Sequence, residues 1–290
     1  MQFRTDLAIE ATVIEDNKNG TVQGIGQEVR YVGDVKITEI IIKDRDGEAV
    51  MNRSVGRYVT AELPPLSDND EHLEIYAEEI ANELRSMLPE SGTILVVGLG
   101  NSSITPDALG PNAAGMVMAT RHIEGEFARA SGLADLRPAA VMSPGVLGQT
   151  GVESGEIVKG VCSEIKPAAV IVIDALAARS LSRLGCTLQI CDTGIAPGSG
   201  VGNNRMKLNF ETLGVPVIGM GVPTIVDART IAMELTGKQE SCDAVAPRGS
   251  EMMVTPREID LIIRRASRLA AMTINAALQP DYSPLSLTAM

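Results

Sequence analysis

From residue 93 onward the chain alternates short, mainly apolar runs with helix-patterned stretches, and this alternation limits the possible folds more than any other feature. The apolar runs are residues 93–99, 139–142, 168–173, 187–190 and 215–220; helix patterns fall near 112–122, across 153–165, from about 223 to 235 and over 256–278. A strand with no polar face must be covered on both sides, so the pattern predicts a three-layer α/β/α sandwich around a mainly parallel or mixed sheet. Upstream, residues 28–32 and 35–42 are β-branched, with turn residues Gly33-Asp34 and Asp46-Gly47 beside them, which predicts two or three N-terminal antiparallel strands. Pro64-Pro65 and the run Ser67-Asp68-Asn69-Asp70 end that region and cap a helix to about Leu88. Its Leu73, Tyr76, Ile80, Leu84 and Met87 recur at steps of three and four, with acids mainly between them as a solvated face. The expected division is residues 1–66 as a strand region packed on an α/β core of 67–290, together one compact domain.

Charge and composition narrow the partners. With 37 acidic and 25 basic residues the chain carries a formal charge of −12, which argues against gripping nucleic-acid phosphates or anionic lipid and for a basic or neutral partner. No apolar run approaches the length of a membrane span, and Asp6 and Glu10 interrupt what would be the apolar region of an export signal. Cys162, Cys186, Cys191 and Cys242 form no C-x-x-C pair, which fits a reduced, cytoplasmic protein without disulfides. Seven aromatics and no Trp leave the packing to aliphatic and Met side chains.

Three segments after apolar runs are rich in Gly, Pro and acid: 98–111, 174–180 and 192–203. In a parallel sheet such segments are expected as loops converging on one sheet edge, where sites form. The first is no dinucleotide fingerprint, because Ser103 replaces the third glycine, and the last lacks the Gly-Lys-Ser/Thr ending of a phosphate cradle. Asp192-Thr193-Gly194 matches the tripeptide of all-β aspartic proteases, but it occurs once and in an α/β context; an Asp after a strand is commonly a turn former. His72 and His122 both fall on predicted helices without metal-ligand spacing, and no G-x-S-x-G is present. Carboxylate chemistry remains. Asp174, ending the run 168–173, would sit at the sheet rim partly desolvated, and Asp107 in another post-strand loop could face it. The bland alternatives are a turn residue for Asp174 and a helix-capping position for Asp107.

The segments Arg4-Thr5-Asp6-Leu7-Ala8-Ile9-Glu10, 97–101, 105–111, 173–177, 192–195, 197–203 and 221–224 together resemble the germination protease family of spore-forming bacteria, over essentially the whole chain. The resemblance implies a fold related to the maturation peptidases of nickel-iron hydrogenases and a homotetramer in the cytoplasm of the spore core. It also implies cleavage of small acid-soluble spore proteins at germination; no cofactor is expected, and no ligand set for a metal is found in the sequence. It implies that Asp107 and Asp174 are the catalytic pair of an atypical aspartic protease; two carboxyls in one desolvated site do not both ionise, so either could be the base and the other the acid. The glycine-rich segments supply candidate substrate-binding residues Gly98, Gly100, Asn101, Asp192, Gly200 and Asn203. Because the family's targets are cut after an acid, a cation is expected in the pocket, with Arg179 and Arg205 as candidates. Those targets read acid, large apolar, Ala, any residue, Glu, and Asp6-Leu7-Ala8-Ile9-Glu10 repeats that order, which predicts a self-processing precursor cut between Asp6 and Leu7. The competing readings are a metal-dependent peptidase with the same two acids as ligands, and a non-catalytic binding protein of this fold.

Overall fold

Strands without a polar face belong in the middle of a sheet, and the apolar runs 93–99, 168–173 and 215–220 lie there, while 139–142 forms one edge. The computed structural model describes residues 5–11, 24–68, 71–130, 132–198, 205–237 and 252–283. Its nine strands are β1 (Ile25–Val32), β2 (Val35–Ile42), β3 (Gly56–Glu62), β4 (Ile94–Gly98), β5 (Ala139–Met142), β6 (Ala169–Ala178), β7 (Thr187–Cys191), β8 (Val217–Asp227) and β9 (Met253–Val254). They form one sheet in the order β1-β2-β3-β7-β8-β6-β4-β5, with β9 attached to β8. β8, β6, β4 and β5 are mutually parallel, whereas β1, β2, β3, β7 and β8 pair antiparallel in sequence along the sheet. The sheet is therefore mixed. The N-terminal antiparallel strands extend it through the β3–β7 ladder.

The helices among the described residues that matter here are α1 (Arg45–Met51), α2 (Leu73–Met87), α3 (Leu109–Ala114), α4 (Ser154–Ile165), α5 (Ala228–Thr236) and α6 (Ile259–Leu278). One sheet face, with Ile171, Ile173, Leu188, Ile190, Met220 and Val222, packs in a continuous core under α2, α3 and α6. The opposite face is covered in two separate patches. Leu95, Val97, Val170, Val172 and Val217 lie under Val158 and Cys162 of α4. Ile40, Ile42, Tyr58, Leu176 and Cys191 lie under the N-terminal Leu7, Ala8 and Ile9. The gap between these patches locates the site.

Several elements differ from the sequence expectation. β6 runs on through the expected loop 174–180 as far as Ala178, and β8 extends to Asp227 where a helix was expected from Pro223; α5 starts only at Ala228, capped by Asp227 Oδ1 accepting from Arg229 N at 2.8 Å. The two strands outrun their neighbours because they pair with each other from Val170↔Val217 to Ala178↔Val226, and β-branched Val222, Thr224, Ile225 and Val226 suit that ladder. The helix expected near 112–122 stops at Ala114, which leaves His122 in a turn. Asp46-Gly47, expected as a turn, lies in α1, whose cap Asp44 accepts from Gly47 N at 2.9 Å. The sequence places a mobile loop at residues 237–250, of which all but Gly237 lies outside the described residues. The helix over 153–165 appears as α4, started by a reciprocal capping box between Glu153 and Glu156.

Candidate active site

In β6 the side chains alternate, Ile171 and Ile173 to the continuous core and Val170, Val172, Asp174 and Leu176 to the divided face. Asp174 thus occupies a core position in mid-strand, 8% exposed, and not a strand-end rim. Its register partner on β8 is Gly221, which in turn pairs with Gln189 on β7, so Asp174, Gly221 and Gln189 form one row across three strands. Gly219 and Gly221 put no side chain on this face. A Cβ at Gly221 would collide with the backbone oxygen of Asp174 and the side chain of Leu176. The missing side chains leave a cavity of about 450 Å³ lined by Asp174, Gly219, Gly221, Gln189, Asp107 and Asp6, among others.

Asp107 reaches this cavity from a single 3-10 turn, Thr105–Asp107, between β4 and α3. Thr224 Oγ1 donates to Pro106 O at 2.8 Å and ties the turn to β8, while Asn101 N donates to Asp107 Oδ2 at 2.8 Å. Gly100 has φ +119°, and a Cβ there would strike the backbone oxygen of Asp107, so the loop closes over the turn only with glycine. Burial pushes the Asp107 carboxyl up, opposed by the Asn101 hydrogen bond and the Arg205 charge. For Asp174, burial first and then the charges of Asp107 and Asp6 push the carboxyl from 3.8 up to about 8, against the Ala175 N–H and Arg205. The two aspartates therefore share one desolvated cavity and act on each other, with Arg205 acting on both.

The remaining candidates divide. Gly100 and Arg205 line the cavity; Asn101 positions Asp107 from just outside it. Gly98 is not in the lining and instead permits close approach of β4 to α3, where a Cβ would meet Gly110 O. Asp192 is also outside it: its Oδ1 accepts from Arg57 N at 2.7 Å and pins the end of β7 to β3, although the next residues, Thr193 and Gly194, do line the cavity. Arg179 lies outside the lining, with its backbone N donating to Glu10 Oε2 at 2.7 Å. Gly200 and Asn203 fall outside the described residues. Lining residues that sequence reasoning passed over are Arg53, Tyr58, Gln189 and Lys207, none of which stands in a recognisable motif.

The N-terminal segment is tied to the sheet by hydrogen bonds. Asp6 N donates to Ala177 O at 2.9 Å, Ala177 N donates to Asp6 Oδ2 at 2.8 Å, and Gln189 Nε2 donates to Asp6 O at 3.0 Å. Leu7 and Ala8 are wholly buried, and Glu10 accepts from the backbone N–H groups of Arg179 and Ser180 at 2.7 and 2.8 Å. Among the described residues no group of three His, Cys, Asp or Glu side chains could hold a metal ion, and no helix is long and apolar enough to cross a membrane.

A mixed sheet with helices on both sides and a peptide-sized, acid-lined cleft over two glycines defines an α/β protein whose site is built around buried carboxyls. The chain belongs to the germination protease family and is a peptidase: the family model described as germination protease matches residues 4–237. It is 40% identical to a germination protease of Clostridium tetani, covering 97% of this chain and 96% of that one. It is 42% identical to a germination protease of Caldanaerobacter subterraneus subsp. tengcongensis (97% and 95% covered) and 34% identical to that of Priestia megaterium (96% and 94%). Among solved structures, a NiFe hydrogenase maturation protease from Thermococcus kodakarensis KOD1 overlaps with TM-score 0.39 at 20% identity, covering 68% of this chain and 99% of that one.

Proposed function

We propose that this peptidase degrades small acid-soluble spore proteins in the germinating spore core, as a homotetramer, by a carboxyl-pair mechanism, and that it is made as a precursor which cuts itself between Asp6 and Leu7. The observation that carries this reading is that Asp6, the first residue of the chain's own acid–Leu–Ala–x–Glu sequence, lines the same cavity as Asp107 and Asp174. Asp174, deeply buried and held near 8, keeps its proton at neutral pH and serves as the acid toward the peptide carbonyl. Asp107 is also pushed up by burial, but the Asn101 N–H and the Arg205 charge oppose that shift in favour of its carboxylate, which takes the proton from the attacking water. Departure of the segment ending at Asp6 removes one of the charges that hold Asp174 protonated and vacates the position of an acidic residue.

Because Leu7, Ala8 and Ile9 are buried in the core, this cut is intramolecular. Intact mass followed over time at mildly acid and neutral pH should show new chains beginning at Leu7, with a half-time independent of protein concentration and unchanged by EDTA, and Asp107→Asn should stay full length. Wild type that digests a spore-protein peptide while remaining full length rules out the precursor step. Restoration of EDTA-inhibited activity by one divalent ion would favour a metal-dependent peptidase.

Of the two candidate cations, Arg205 is the one placed to meet a substrate acid, since it lines the cavity and Arg179 does not. Arg205→Gln should erode the preference for acid over Gln before the cut by about tenfold or more, the scale of one charge-assisted hydrogen bond. Arg179→Gln should leave it unchanged. Equal preferences in the wild type and both variants would remove Arg205 from recognition.

A further inference from the structure

We infer that Gln189 is a catalytic residue: its side-chain amide donates to the carbonyl oxygen of the bond that is cut and stabilises the negative charge that develops there. The inference rests on the reading that Asp6–Leu7 is the bond cleaved. The carbonyl of that bond is Asp6 O, and Gln189 Nε2 donates to it at 3.0 Å. The same side chain accepts at Oε1 from Ala8 N at 2.7 Å. With an N–H donor on one side and a carbonyl on the other, only one orientation of the amide satisfies both partners, so Nε2 is aimed at the carbonyl before reaction. Gln189 is 6% exposed, and a fixed donor in a desolvated site is the arrangement that stabilises an oxyanion without reorganisation.

The sheet register explains why this residue and Asp174 act on one peptide group. They face the same side of the sheet from β7 and β6, separated by β8 at Gly221. At roughly 4.8 Å per strand, their backbones stand about 10 Å apart, room for one peptide unit and a water. Asp6 fills that span, bonded to β6 through Ala177 and to β7 through Gln189. The acid side of the reaction thus comes from one strand and the oxyanion donor from the other, over a floor without side chains. The charged groups sharing the cavity with Gln189 are Asp6, Asp107, Asp174, Arg53, Arg205 and Lys207.

Gln189→Glu separates this role from packing, because it conserves volume and still accepts from Ala8 N, but as a carboxylate it has no proton to give. In the full chain, appearance of the Leu7 terminus should slow by about 10²–10³-fold at neutral pH, the effect of losing one oxyanion donor. Relative to wild type, the rate should recover as pH falls and the introduced carboxyl gains a proton it can donate. Gln189→Met should be slow at every pH. A Gln189→Glu chain that folds and processes at the wild-type rate, or one slowed equally at all pH values, overturns the oxyanion role while leaving the self-cutting reading in place. A wild type that digests peptide without ever exposing Leu7 overturns both.

Discussion

Asp107→Asn and Asp174→Asn, each made in a chain that starts at Leu7 so that processing plays no part, are expected to fold and to lose about 10²–10⁴-fold in kcat on an acid–Leu–Ala–x–Glu peptide. The two losses have different causes. Asn at 107 still accepts from Asn101 N but cannot take a proton from water; Asn at 174 still accepts from Ala175 N, as Asp174 Oδ1 does at 2.9 Å, but its amide is a far weaker acid toward the carbonyl than a carboxyl. If the pair works as a unit, the double variant should be little worse than either single one. Near-wild-type turnover in either single variant would remove that residue from the chemistry. Circular dichroism of the three variants checks that the comparison is between folded proteins.

Asp174→Asn should also make the protein more stable at neutral pH while disabling it. The folded carboxyl, at about 8, lies above its ordinary 3.8, so between those values the folded chain retains a proton that the unfolded chain releases. Unfolding in this range therefore releases a proton, and the stability present in full below pH 3.8 is lost progressively as pH rises toward about 8. Asn has no proton to lose. Its advantage over the wild type should therefore be near zero at pH 4 and grow to the order of a few kcal/mol at pH 7, several degrees in Tm. Thermal melts of both proteins from pH 4 to 8 read this directly. Parallel melting curves across the range would mean that Asp174 is not held protonated.

Much of the frame was legible in one dimension. Runs such as 168–173 have no polar face, so their central place in a two-sided sheet follows from hydrophobicity alone, and α4 announced itself as a helix pattern across 153–165. The limits of β6 and β8 were not legible. Each extends because the other does, and cross-strand support is invisible in a segment read by itself.

Asp107 and Asp174 could be picked out as acids following apolar runs, because a charge beside such a run is a local feature. Their raised affinity for protons was decided by the fold, which buries Asp174 in mid-strand and brings Asp107 and Asp6 to it. Arg179 and Arg205 are equally near to site segments in sequence, and only the chain path shows that Arg205 lines the cavity and Arg179 does not. Asp192, marked by its tripeptide, proved to be a tether to β3. Gln189 carries no motif: a glutamine in a buried strand has meaning only once its partner is known, and that partner, the carbonyl of Asp6, lies 183 residues away. The sequence by itself determined the layers of this protein and the identity of its acids, since both depend on local pattern. Only the tertiary structure decided which acid stays protonated and which donor meets the carbonyl, since burial and hydrogen-bond geometry arise between segments that are distant along the chain.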